Sequence, residues 1–130
     1  MRLLLDTHVF LWFVTDDARL PLAQKLAVED PNNEVFLSVV SLWEVLIKER
    51  IGRLPLPRPA KEYIPELRAR HEIRPLPLDE PSVARLADLP MHHRDPFDRM
   101  LVCQAQENGL RLVSLDELVR KYPVSLFPEV

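Results

Sequence analysis

The apolar positions of this chain change period repeatedly, and each change predicts an element. Residues 2–6 (RLLLD) form a short apolar run ending on an acid, and THVFLWFV follows without a breaker. That pattern predicts a buried strand feeding directly into a helix. PLAQKLAVED (21–30) opens on proline, a favoured first helical residue, and spaces Leu22, Leu26 and Val28 for a helix. EVFLS (34–38) predicts a second strand, and SLWEVLIKERIG (41–52) a helix stopped by Gly52. After a proline-rich loop over 53–59, KEYIPELRARH (61–71) predicts a helix kinked or delayed by Pro65. EIRPLPL (72–78) is restricted to a short or edge strand, because Pro75 and Pro77 lack ladder donors. EPSVARLADL (80–89) and DPFDRMLVCQAQENG (95–109) predict helices, the second ended by Gly109. RLVSL (111–115) predicts a strand, DELVRKY (116–122) a short helix and VSLF (124–127) a last strand.

Strands alternating with helices predict an α/β fold with a mainly parallel sheet covered on both faces. At 130 residues, 47% of them apolar, one domain over 1–130 is expected, with no repeats or interdomain linker. No run approaches the ~20 apolar residues of a membrane span. Asp6 and His8 interrupt the apolar N-terminal stretch, and no small-residue cleavage site follows. No membrane association and a cytoplasmic location are therefore expected. Cys103 lacks a partner cysteine and sits in an apolar helical run, so it is read as a small core residue. Trp12 and Trp43 lie in apolar helices and are read as core too.

Chemistry enters through the acids at strand-to-helix junctions. Asp6 follows the first strand, Glu44 lies in SLWE, Asp98 in DPFD and Asp116 in SLDE, with Asp95 as a fifth. Singly, each has a structural reading. Asp6 and Asp116 suit N-caps, Ser41 and Glu44 match a capping box, and Asp95-Pro96 is a cap followed by proline. Jointly they carry more, because a parallel sheet gathers such junctions on one edge, where ligands bind. Two carboxylates about 4 Å apart repel by about 4 kcal/mol at an effective dielectric near 20. Such a cluster needs protons or cations, and hard divalent ions take oxygen ligands. Carboxylates without obligatory Cys or His suit metal-assisted phosphoryl chemistry.

Charge and the histidines modify this picture. The net charge of −3 argues against a nucleic-acid partner, but residues 48–74 carry eight Lys/Arg against four Glu. That segment stands at +4 and the remainder at −7, so it is either a polyanion-binding lobe or a solvated helical surface. His92 and His93 are adjacent and do not share a helix face, and no second His or Cys lies at zinc spacing. They are read as capping, bonding backbone or touching phosphate, not as metal ligands. An apolar strand ending in Asp also invites comparison with haloacid-dehalogenase-like phosphatases, with Asp6 as nucleophile. His8 stands where that chemistry uses a second acid, and beyond Lys61 only Lys121 is available.

LLLDTHVFLW, SVVSLWEVLIK and HHRDPFDRMLVCQAQENGLRLVSLDE, in this order, resemble the PIN domain, specifically VapC-like toxins of toxin–antitoxin pairs. The resemblance covers nearly the whole chain. It implies a three-layer α/β/α sandwich on a parallel sheet, Mg²⁺- or Mn²⁺-dependent endoribonuclease activity on RNA, a homodimer, and inhibition by a cognate antitoxin. It matches Asp6, Glu44, Asp98 and Asp116 to the family's four acids, and Thr7 and Ser114 to hydroxyls beside the first and fourth. Asp95 belongs to a subgroup pattern, as a helix cap or a ligand. Arg94 or Arg99 is expected to offset phosphate charge, unless the Arg99 stem packs on a neighbouring turn with its head solvated. A non-catalytic, partner-binding relative would be marked by loss of one acid, and all four are present.

Overall fold

The computed structural model describes residues 1–129. Five parallel strands form one sheet in the order β3-β2-β1-β4-β5: β1 Arg2–Leu5, β2 Glu34–Ser38, β3 Arg74–Leu76, β4 Arg111–Val113 and β5 Leu126–Phe127. The helices are α1 Thr7–Val14, α2 Leu22–Glu29, α3 Val39–Arg50, α4 Ala60–Arg70, α5 Glu80–Ala84 and α6 Pro96–Asn108.

Alternation along the strands explains the layers. Leu3, Leu5, Val35, Leu37 and Val113 face one way, into a core with Val9 and Phe10 of α1, Ala27 and Val28 of α2, and Ile64 and Leu67 of α4. Leu4, Phe36, Leu76 and Leu112 face the other way, against Leu101, Val102, Cys103 and Ala105 of α6. A sheet buried on both faces gives the near-continuous apolar strands of the sequence. The result is a three-layer α/β/α sandwich. Among the described residues, no helix is long and apolar enough to cross a membrane.

The chain leaves central β1 toward β2 and β3, then returns to build β4 and β5 on the opposite side. The switch in direction lies between β1 and β4, where the Asp6 N–H donates to Val113 O at 3.0 Å. Ligands bind outside the carboxyl ends of strands at such a point.

Local chemistry moves several predicted boundaries. The helix expected at 41–52 begins at Val39, because Ser38, the last residue of β2, caps it and accepts from the Val40 N–H at 3.0 Å. Pro65 is tolerated inside α4, as the sixth residue of the helix. The proline-rich strand is β3, three residues at the sheet edge, where missing donors cost least. The helix expected over 80–89 tightens into a 3₁₀ turn after Ala84, and that expected over 116–122 is a single 3₁₀ turn, Val119–Lys121. Gly109 ends α6 in the left-handed region, at φ 63°.

Candidate active site

Asp6, directly after β1, caps α1: its Oδ1 accepts from the Val9 N–H at 2.8 Å. The carboxylate is buried against the positive end of the helix dipole. Burial nonetheless raises its pKa above the ordinary carboxylate range, against the lowering effects of the Ser114 hydroxyl and the Val9 N–H. Fully buried Ser114, at the end of β4, also accepts from the Asp116 N–H at 3.2 Å, so one hydroxyl serves two of the acids.

Glu44 is not the capping-box partner of Ser41. With the cap at Ser38, Ser41 and Glu44 lie a full turn inside α3 and both are buried. The Thr7 hydroxyl donates to Glu44 Oε1 at 2.7 Å and shares a 2.9 Å contact with the Ser41 hydroxyl. Lys48, one turn on, holds Glu44 Oε2 at 2.5 Å. Thr7, next to Asp6 in the chain, thus hydrogen-bonds the second acid, and Lys48, one of the basic segment's cations, belongs to the site. Its i,i+4 spacing from Glu44 was the available signal.

Asp95 caps α6, with Oδ1 accepting from the Phe97 N–H at 2.8 Å, and Pro96 opens the helix. That cap orients Asp98, in the first turn, toward the cleft. Burial, then the charges of Asp95, Glu44 and Asp6, push the Asp98 carboxyl up to about 7, while His93 pulls it down. Asp116 behaves oppositely. Burial works to raise its pKa, but His93 and the N–H groups of Leu118 and Val119 hold it below the ordinary value.

Asp6, Asp98 and Asp116 line a cleft of about 260 Å³ with His8, Val9, Trp12 and Leu115, and Glu44 lies buried behind it. His93 also stands in this group. Its Nε2 is 3.0 Å from Asp116 Oδ2 and 3.2 Å from Asp98 Oδ2. Nothing in the sequence pattern brings His93 to Asp116, 23 residues away; only the fold makes them neighbours.

The two arginines are placed differently. Arg94 is exposed, with no hydrogen bond or ion pair among the described residues. Arg99 is buried, head included: Nη1 donates to Pro90 O at 2.9 Å and Tyr122 Oη at 3.0 Å. Its guanidinium is committed to the loop before α6, which removes it as a phosphate ligand. We expect Arg99→Ala to cost about 2–3 kcal/mol in urea unfolding, because buried acceptors lose a charged donor. Arg99→Lys should recover little, since a point charge cannot replace the fork. Trp43, expected in the core, is 56% exposed and meets Phe97 edge-on at 5.0 Å. In the basic segment, Arg58 and Arg70 pair with Glu66, and Arg74 with Glu34.

The PIN domain family model matches residues 3–124. The chain belongs to that family. Among PIN-domain relatives, Ribonuclease VapC16 of Mycobacterium tuberculosis is 39% identical over 57 residues, a stretch covering 44% of this chain and 40% of that protein. Ribonuclease VapC22 of the same organism is 30% identical over 120 residues, 92% of this chain and 90% of its own length. In structure, this PIN domain is similar to a chain of Rickettsia felis VapBC2, solved bound to a DNA fragment from its promoter. The TM-score is 0.68, with 12% identity and coverage of 97% of this chain and 96% of that one. A chain of VapBC-1 from nontypeable Haemophilus influenzae gives 0.59 at 18% identity, over 89% and 87%. At these identities the structural likeness speaks for the fold alone.

Proposed function

We propose that this PIN domain is a divalent-metal-dependent endoribonuclease and the toxin of a toxin–antitoxin pair, acting in the cytoplasm. The observation that carries the reading is Asp98. Burial and neighbouring carboxylates raise it to about 7, which marks a negative field in want of a cation. The donor set fits Mg²⁺ or Mn²⁺, being carboxylate oxygens from several elements around an open cleft. Asp6, Glu44, Asp98 and Asp116 are the residues that would hold it. A bound divalent ion would lower the pKa of the attacking water and offset charge on the scissile phosphate.

The chain's own groups supply the rest. The Val9 N–H fixes Asp6, while Thr7 and Lys48 fix Glu44, so these carboxylates are held before any ligand arrives. Asp95 acts through the helix it caps. RNA as the substrate is supported by the relatives named Ribonuclease, and a cognate antitoxin as inhibitor by the likeness to VapC-like toxins.

The test is direct. Purified chain, free of antitoxin, is incubated with mixed RNA and Mg²⁺ or Mn²⁺. Cleavage that EDTA stops is expected; cleavage that survives EDTA, or the double change Asp6→Asn and Asp98→Asn, would refute the mechanism. Activity on small phosphate esters with a phosphorylated Asp6 would favour the phosphatase alternative. Metal binding without any cleavage would favour a protein that only binds a partner.

A surface feature supports a homodimer. Val39, Trp43 and Ile47 of α3 and Ile51 at its C-cap recur every four residues and are exposed. A row of this kind marks an interaction surface, and we assign it to a second copy of the chain. Ile47→Glu with Ile51→Glu is expected to convert a dimer to a monomer in light scattering at unchanged helicity. A dimer that survived both changes would remove the assignment.

A further inference from the structure

His93 stands at the carboxylates without a role in the reading above. One atom each of His93, Asp98 and Asp116 lies within 4.8 Å of the others, which is the content of a metal site. The far side of the ring says otherwise. Nδ1 accepts from the backbone N–H of Asp95 at 3.0 Å, so it presents a lone pair and not a proton. A neutral imidazole carries one proton, which must then sit on Nε2. A second proton on Nδ1 would face the Asp95 N–H head-on. Metal-ligating histidines show the reverse arrangement, with the distal nitrogen donating N–H and the other lone pair facing the ion.

We propose that His93 is a positioning residue, whose Nε2–H is shared between Asp116 and Asp98 and sets the fourth acid beside the third. The proposal deepens the metal-dependent reading and rests on it. Asp116 Oδ1 accepts from the Leu118 N–H at 2.8 Å, which turns Oδ2 to the ring. One oxygen of each acid is thereby oriented by the imidazole, and Asp98 keeps its second oxygen for a cation. The loop that carries His93 is braced to the same end. Tyr122 Oη accepts from the N–H groups of His92 at 3.1 Å and His93 at 2.8 Å, and the buried Arg99 guanidinium holds that same oxygen. His92 differs: it is exposed and its ring lies edge-on to Tyr122 at 5.0 Å. Two adjacent histidines thus have separate duties, one at the acids and one on the loop's outer side.

The experiment has a metal-free arm and a metal arm. In the metal-free protein, long-range ¹H–¹⁵N correlations of the His93 ring are expected to show the Nε2–H tautomer, with Nδ1 unprotonated. The opposite tautomer would overturn the proposal. In the metal arm, Mn²⁺ affinity is measured by titration calorimetry for wild type, His93→Gln and His93→Leu. The Gln amide can still donate near the Nε2 position but offers no basic nitrogen. His93→Gln is expected to stay near wild type, while His93→Leu weakens Mn²⁺ by about 10-fold, as outer-shell changes do. Asp116→Asn and His93→Leu together should then cost less than the sum of the two single losses, because the imidazole acts through Asp116. Equal losses in the Gln and Leu variants would make His93 a ligand, and additive losses would make it independent of Asp116; either result overturns the proposal. If His93→Leu fails to fold, the tautomer and His93→Gln still decide. If wild type binds no Mn²⁺, the metal reading fails while the tautomer still judges the hydrogen bond.

Discussion

Asp98→Asn is expected to abolish RNA cleavage while making the metal-free protein more stable at pH 8. The loss should exceed about 100-fold, the upper range for groups that only support a metal ligand, because Asp98 is read as a ligand itself. The gain has a separate cause. Asp98 is pushed to about 7 by burial and by Asp95, Glu44 and Asp6, so above that pH its charge is held against an unfavourable field. An amide keeps the shape, removes the charge and still offers an oxygen to the His93 N–H. Each kcal/mol gained would raise the melting temperature by about 3–5 °C in a chain of this size. An Asp98→Asn protein that melted lower than wild type at pH 8, with intact secondary structure, would count against the crowded-carboxylate picture even if activity were lost.

The second large effect couples pH to metal. Because the Asp98 pKa rises from 3.8 in the unfolded chain to about 7 on folding, the folded state binds its proton more tightly. The stability linked to that proton is complete below 3.8 and is lost as pH rises through about 7. At 1.36 kcal/mol per pH unit, this window bounds the effect at about 4 kcal/mol. The raised Asp6 works in the same direction, whereas the lowered Asp116 acts only at more acidic pH and lies outside the window. EDTA-treated protein is therefore expected to unfold more easily in urea at pH 8 than at pH 5. Mn²⁺ at 100 times its dissociation constant should restore about 2.7 kcal/mol at pH 8 and far less at pH 5, where Asp98 holds a proton. A melt that Mn²⁺ shifted equally at both pH values would separate metal binding from Asp98.

Much of this architecture can be read from local pattern. The apolar runs at 2–5, 34–38 and 111–113 are strands buried on both faces, and acids at their ends meet on one sheet edge because the topology demands it. What the pattern misplaces turns on competition between neighbours. Ser41-x-x-Glu44 satisfies the capping box, but Ser38 caps first, and three residues of displacement turn a surface pair into a buried one. Arg99 and Trp43 are misread because helical spacing shows which residues share a face, not what covers that face. The Arg99 head enters the interior only because Tyr122, Pro90 and Leu89 arrive there from elsewhere in the chain. His93 is the plainest case: its partner on the ring's near side is 23 residues away, and its tautomer is set by a backbone N–H two residues on.

The central claim is that Asp6, Glu44, Asp98 and Asp116 form one centre that holds a divalent ion. Mn²⁺ binding to the antitoxin-free chain at pH 7.5, followed by electron paramagnetic resonance, tests it most directly. The account predicts saturable binding that Mg²⁺ competes away and that Asp98→Asn abolishes, in step with loss of RNA cleavage. Wild-type protein that cleaves RNA in EDTA and binds no Mn²⁺, or an Asp98→Asn variant that binds it unchanged, would contradict the account.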